Sequence, residues 1–220
     1  MFISKLMSRQ VVTTTPETDI WRAKEKMSEH HFRHLPVLDE NHHLVGMVTD
    51  RDIRSAMPPS LSRNLISREE KEKMSHVKVK DIMTQDLISL SPLDTLQDAL
   101  LLLQRKKVGA FPVVDEQKNL VGIIAVGDIL REFINVLGLD EPGSLLCIVV
   151  ENKVGQMKKI VDAITEENVS FGSIMVARHW EKGRRAVFPY LLTHNINPLK
   201  RKLANMGYVL LDPEDWYLSH

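Results

Sequence analysis

A chain of 220 residues, 43% hydrophobic and 26% charged, has ordinary globular composition and enough length to bury a core without disulfide or metal staples. Its 29 Lys and Arg residues balance 29 Asp and Glu, which argues against a general nucleic-acid binder while leaving room for a local basic pocket. The single cysteine, Cys147, excludes an internal disulfide and a cysteine-cluster zinc site, and points to a reducing, cytoplasmic compartment. No apolar stretch approaches the roughly 20 residues that span a bilayer. The opening segment MFISKLMSRQ lacks the apolar core of a signal peptide.

The dominant feature is an internal repeat. Shifted by 76 positions, Met7 meets Met83, Pro16 meets Pro92 and Ala23 meets Ala99. Pro36-Val37-Leu38-Asp39-Glu40 meets Pro112-Val113-Val114-Asp115-Glu116, Leu44-Val45-Gly46 meets Leu120-Val121-Gly122, and Asp52-Ile53 meets Asp128-Ile129. About a dozen identities over roughly 50 positions, at one offset and without a gap, mark a duplication.

Each copy has the same local grammar. A short β-prone run, Val11 to Thr15 or Leu87 to Leu90, is stopped by a proline. A helix follows, capped by Thr18 or Asp19 in the first copy and by Asp94 or Thr95 in the second; Leu96, Ala99, Leu100 and Leu103 share a face. A strand, Leu35 to Leu38 or Phe111 to Val114, turns through Asp39 to His43 or Asp115 to Asn119. It returns as Leu44 to Val48 or Leu120 to Ile124 and enters a second helix. One β-α-β-β-α unit has a small core and exposed apolar surface, so two copies should pack as a pseudo-twofold pair with two equivalent clefts. The expected boundaries are 1–57 for the first repeat, 58–76 for a linker and 77–136 for the second repeat. In the linker, Ser67 and Glu70 have capping-box spacing ahead of a charged helix. A second linker covers 137–143, with Asp140-Glu141-Pro142-Gly143 as a turn.

Residues 144–220 follow another plan. Strand Leu145 to Val150 precedes a helix from Val154 to about Asn168, with Val154, Met157, Ile160, Val161 and Ile164 on one face. Strands Ser173 to Arg178 and Ala186 to Leu192 flank the loop Glu181-Lys182-Gly183. A helix opened by Pro198 carries Leu199, Leu203 and Met206 and ends at Gly207, and strand Tyr208 to Leu211 closes the set. This β-α-β-β-α-β order is the split-βαβ, ferredoxin-like plan. The fold class is therefore α+β / α/β: two β-α-β-β-α repeats plus one βαββαβ domain.

The sharpest local feature is Gly46-Met47-Val48-Thr49-Asp50-Arg51-Asp52, an apolar strand running into a helix start. Thr49 and Asp52 form a natural capping box. Equally, Asp52 can accept two hydrogen bonds from a vicinal diol such as a ribose, and the free N–H groups of a helix start suit phosphate. This segment, with RHLPVLDE and AFPVVDE and the paired starts Met7-Ser8 and Met83-Thr84, resembles the CBS domain. Two copies resemble a CBS pair, or Bateman module. The resemblance covers residues 1 to about 136. It implies a non-catalytic module that binds AMP, ADP or ATP, or in some members NAD or S-adenosylmethionine, and needs no cofactor. Carried onto this chain, it implies that Thr49 and Asp52 hold the ribose, that Arg33 and His34 reach the phosphates, and that backbone around Val12 and Thr13 meets the adenine. In the second repeat Asp128 is kept, but Ala125 replaces the hydroxyl, and Gly109 and Ala110 replace Arg33 and His34. The Asp52 site should therefore dominate.

The C-terminal part resembles an ACT-type domain, with Asn152-Lys153-Val154-Gly155 in the loop after its first strand. That resemblance implies a small effector near Asn152 and Gly155; a plain dimerising sheet without a ligand is the other reading. The combination resembles AcuB-type acetoin utilization proteins and implies regulation in acetoin or carbon metabolism. A homodimer is the default expectation. The alternative function is a ligand-free module that docks on and regulates a partner enzyme. Histidines 30, 31, 34, 42 and 43 lack zinc-ligand spacing, no nucleophile motif is present, and no membrane or nucleic-acid partner is expected.

Overall fold

The computed structural model describes residues 1–57 and 76–211; the linker helix read around Ser67 and Glu70 lies outside the described residues. The chain divides into two compact units, Met1–Leu130 and Arg131–His220.

The first unit holds both repeats. The first copy contains α1 (Ile3–Leu6), α2 (Ile20–Glu29), β1 (His34–Leu38), β2 (Leu44–Thr49) and α3 (Asp50–Ala56). The second contains α4 (Val79–Ile82), α5 (Leu96–Arg105), β3 (Ala110–Val114), β4 (Leu120–Ala125) and α6 (Val126–Leu137), whose last residues belong to the second unit. Asp19 caps α2 by accepting the Arg22 N–H at 2.8 Å, and Thr95 caps α5 by accepting the Asp98 N–H at 3.3 Å. Both hairpins are antiparallel. Their turns are tied by one aspartate each: Asp39 accepts the N–H groups of Asn41 and His43, as Asp115 accepts those of Gln117 and Asn119. The runs read as a first strand in each copy form only single parallel bridges, Thr14 with Val37 and Leu90 with Val113. Pro16 and Pro92 follow two residues later, where a missing N–H cannot extend a ladder.

The two copies exchange their leading segments. The core of Ile20, Ala23, Leu35, Val37, Val48 and Ile53 is completed by Val79 of the second copy. The core of Leu90, Leu96, Phe111, Val113, Ile124 and Ile129 is completed by Ile3 and Met7 of the first. Backbone bonds fix the exchange. Ser8 and Ile123 trade N–H···O bonds of 2.9 and 3.0 Å, and Thr84 and Met47 trade two of 2.9 Å. Gly122 and Gly46 make this approach sterically available. A Cβ on Gly122 would stand 2.5 Å from Met7 Sδ, and one on Gly46 2.5 Å from Met83 Sδ. The paired Met-Ser/Thr starts are thus the plugs that lock each repeat onto the other.

The second unit contains β5 (Ser144–Leu145), β6 (Ile148–Glu151), α7 (Gln156–Glu166), β7 (Phe171–Glu181), β8 (Arg184–Leu191), α8 (Asn197–Asn205) and β9 (Val209–Leu210). In its antiparallel sheet β8 pairs with β7 along one edge and with β5 and β6 along the other, and β9 lies beside β6. Ile160, Ala163 and Ile164 of α7 and Leu199 and Leu203 of α8 pack against Ile148, Val150 and Val187. The helix starts later than its apolar spacing suggested, because Gly155 caps it in the left-handed region at φ 92°. Val154 consequently precedes the helix and is fully exposed, and Met206, 45% exposed, stands off the α8 core face.

The exchange gives Ile3 a weight unusual so near a chain start, since its side chain is 0% exposed. Ile3→Ala is expected to cost about 2–5 kcal/mol in urea unfolding of the first unit's transition. A loss below about 0.5 kcal/mol, the level of an ordinary surface change, would contradict the exchanged core.

Candidate functional site

The pairing of repeats creates two clefts related by the 76-position offset. The first, of about 710 Å³, takes the β2–α3 junction from the first copy and residues 84–88 and 107–110 from the second. The second, of about 460 Å³, takes the β4–α6 junction from the second copy and residues 8–12 and 31–34 from the first. Both volumes fall in the range of small-molecule sites.

At the first junction the capping box is fully formed. Asp52 Oδ2 accepts the Thr49 N–H at 2.9 Å and the Thr49 hydroxyl at 2.6 Å, while Thr49 Oγ1 accepts the Asp52 N–H at 3.2 Å. Asp52 Oδ1 has no hydrogen-bond partner among the described residues. One carboxylate oxygen closes the helix, and the other keeps its acceptor capacity in a residue that lines the cleft. Asp50 is held by Arg54 at 2.9 Å, whereas Arg33, Arg51 and Lys107, all in the lining, make no ion pair among the described residues.

His34 stands between the clefts and lines both. Its imidazole lies over Gly109, where a Cβ would sit 2.4 Å from Nε2. The small residue in the second copy therefore accommodates a large residue of the first. Burial, and then the neighbouring Arg33 guanidinium, hold the His34 pKa below its ordinary value, against an opposing pull from Asp52.

The second junction keeps only half of the box: Asp128 Oδ2 accepts the Ala125 N–H at 3.1 Å, and no hydroxyl answers it. The residues read from the sequence are therefore distributed over two sites. Arg33, His34, Thr49 and Asp52 meet in the first cleft. Val12 lines the second cleft with Asp128. Thr13 lines neither; its carbonyl accepts Lys26 Nζ at 3.0 Å. The sequence reading puts backbone around Val12 and Thr13 at the adenine; the exchange of leading segments carries Val12 to the second cleft. The position equivalent to Val12 in the first cleft is Ile88. Lys107 and Arg51 were missed, although the offset pointing Lys107 to the turn before β3 was available in the sequence.

In the second unit, Asn152 and Gly155 line a shallow pocket of about 330 Å³ with Arg178 and Arg185. Arg185 Nε is buried without an acceptor among the described residues. Burial raises the Cys147 thiol pKa, the opposite of an activated nucleophile. Among the described residues no helix is long and apolar enough to cross a membrane, and no group of three His, Cys, Asp or Glu side chains is placed to hold a metal.

Two intertwined α/β copies, each with an aspartate in the first turn of the helix beside its cleft, define a paired-repeat module. The CBS-domain profile matches residues 3–59 and 79–135, and the chain belongs to the CBS-domain family. The CBS domain-containing protein YhcV of Bacillus subtilis is 32% identical over 144 residues, covering 66% of this chain and 91% of YhcV. A CBS domain-containing protein of Dictyostelium discoideum is 31% identical over 62% of this chain and 94% of its own length. Inosine-5′-monophosphate dehydrogenase of Methanocaldococcus jannaschii is 31% identical over 58% of this chain, but only 22% of the enzyme is matched. Among solved structures, CBSX2 in complex with AMP has 28% identity and TM-score 0.50, over 60% of this chain and 96% of that one; CBSX2 comes from Arabidopsis thaliana. The CBS-domain pair of protein MJ0100, in complex with 5′-methylthioadenosine and S-adenosylmethionine, has 25% identity and TM-score 0.50 over 60% of this chain and 95% of that one.

The electrostatics of His34 give a direct check. Its NMR titration midpoint should fall below the ordinary 6.5, rise in Arg33→Ala and fall further in Asp52→Asn. Unfolding frees His34 to take a proton at higher pH, so acidification below about pH 6.5 should disfavour the fold through this group. A midpoint at or above 6.5 in the unliganded protein would contradict the arrangement.

Proposed function

We propose that the chain is a non-catalytic regulatory sensor that binds an adenosine-containing nucleotide in the first cleft, with AMP, ADP or ATP as the ligand and NAD or S-adenosylmethionine as less favoured choices. The observation that carries this reading is Asp52, whose Oδ1 has no hydrogen-bond partner among the described residues, in a cleft also lined by Arg33, Arg51 and Lys107, which make no ion pair among the described residues. A ribose diol on Asp52 leaves the phosphates to the guanidinium forks and the ammonium, the charge-assisted contacts that anions need. Thr49 orients Asp52, and His34 closes the wall. The AMP complex of CBSX2 supports the ligand class. Binding shifts the packing of the two copies through unequal affinity for two states, the general condition for a sensor.

Residues 144–220 complete this proposal as an ACT-like, ferredoxin-type domain that holds the chain as a homodimer. The strand order β9-β6-β8-β7 and the βαββαβ succession support it. Asn152 and Gly155, beside Arg178 and Arg185, offer a place for a small carboxylate effector. The domain limits 1–57, 77–136 and 144–220, the cytoplasmic setting, and a role like that of AcuB-type proteins in acetoin or carbon metabolism belong to the same reading.

Calorimetry against AMP, ADP, ATP, NAD and S-adenosylmethionine tests it. Asp52→Ala removes a charged acceptor, a loss of about 1.5–3 kcal/mol or roughly 10–100-fold in affinity. Saturable nucleotide binding weakened by that factor is the expected result. Absence of binding by all five ligands would overturn the sensor in favour of a docking module on a partner enzyme.

A further inference from the structure

A guanidinium in the second unit is seated where a strand normally keeps an apolar side chain. Arg185 of β8 stands opposite Val150 of β6, and Val187, two residues on, stands opposite Val176 of β7. Alternate residues of a strand share a face, so Arg185 lies on the side where Val150 and Val187 pack with α7. Arg185 is half-buried, and its Nε is enclosed without an acceptor among the described residues. A buried charged donor is costly until an acceptor completes it.

The neighbouring strand brings a second cation to the same place. Ala177 pairs with Ala186 and Glu181 with Arg184, so residues 178–180 of β7 stand against Arg185 alone. A bulge of this kind re-aims side chains locally. Arg178 and Arg185 both line the pocket of about 330 Å³, and neither makes an ion pair among the described residues. Two guanidiniums in one small pocket repel each other unless a negative charge joins them. The start of α7, which has no side-chain cap, closes the pocket with Gln156 and Met157.

The rest of the wall discriminates among anions. Val150 and Val187 form an apolar floor, and Val176 and Met157 at the rim are 39% and 36% exposed, apolar surface that a hydrocarbon tail would cover. Glu151 is the one acidic residue among the described residues of the lining, and Lys153 holds it at 2.6 Å. An α-ammonium group would therefore enter beside two guanidiniums with its one acidic partner already engaged. A carboxylate without an ammonium group meets no such repulsion. Inorganic phosphate would satisfy the guanidiniums and leave the apolar rim wet.

We propose that this pocket binds a short-chain apolar monocarboxylate, its carboxylate held between Arg185 and Arg178 and its tail against Val176 and Met157, and that amino acids are rejected there. The proposal names the ligand class for the effector reading of residues 144–220 and rests on that reading.

The test uses the full chain, with 3-methylbutanoate, valine and inorganic phosphate as probes in calorimetry; valine is 3-methylbutanoate carrying an α-ammonium group. Saturable binding of 3-methylbutanoate is expected, with valine and phosphate each about 10-fold weaker or more. Arg178→Gln, at an exposed position, should weaken 3-methylbutanoate about 10-fold. Arg185→Lys, which keeps the charge and removes the planar fork, should weaken it by a similar factor. Val176→Ser should weaken 3-methylbutanoate about 3-fold and leave phosphate unchanged. ATP binding in Arg178→Gln should stay within about 2-fold of wild type, which separates loss of the pocket from loss of the fold. Undiminished 3-methylbutanoate binding in both arginine variants would overturn the assignment. Valine binding as tightly as 3-methylbutanoate, or phosphate binding as tightly and indifferent to Val176→Ser, would overturn the ligand class while leaving an effector pocket standing. Failure of all three probes would overturn the effector reading as well, and would leave the nucleotide sensor standing on its own test.

Discussion

The close approach of Met7 to Gly122 and of Met83 to Gly46 is the contact on which the first unit depends. Each repeat alone is a two-stranded hairpin with short helices, too little to exclude water from its own apolar face. Seating the opening turn of one copy in the core of the other solves this twice. The glycines are required because a Cβ would meet both the thioether and the carbonyl of Ser8 or Thr84. The same exchange draws residues 8–12 towards the second junction and 84–88 towards the first, so each cleft is a product of both copies. Stability and site geometry are therefore one problem in this molecule.

Symmetry of fold coexists with asymmetry of chemistry. The Asp39 and Asp115 turns bind the same N–H groups at nearly the same distances. The junctions have diverged. One keeps a reciprocal Thr–Asp box flanked by cations, while the other keeps the aspartate of the box, without the threonine, on an apolar helix start. The formal charge of the whole chain, zero, conceals this local contrast. His34 is the hinge of the asymmetry, since one imidazole fills space above a glycine and becomes a wall for both clefts.

Much of this was legible in the sequence. The 76-position offset exposed the duplication, because prolines, glycines and aspartates at turns and caps tolerate few replacements. Thr49 and Asp52 announced themselves by spacing alone. Sequence could not show which copy receives Met7 or Met83, since a buried apolar segment fits either core. Val12 is such a case: the exchange seats it in the second cleft, which Asp128 also lines. The start of α7 was misread for a local reason. Val154 continues the apolar period, but Gly155 adopts a left-handed conformation and moves the helix start to Gln156. The choice between cap and ligand at Asp52 was undecidable by pattern, because it turns on where the two oxygens of one carboxylate point.

In the proposed sensor Asp52 serves the fold with one oxygen and a ligand with the other. A crystal structure of the full chain grown with AMP tests it most directly. The expected result is ribose hydroxyls within hydrogen-bond distance of Asp52 Oδ1, the phosphate among Arg33, Arg51 and Lys107, and the Thr49–Asp52 bonds intact. A nucleotide seated against Asp128 instead, or an Asp52 carboxylate that leaves the cap on binding, would contradict it.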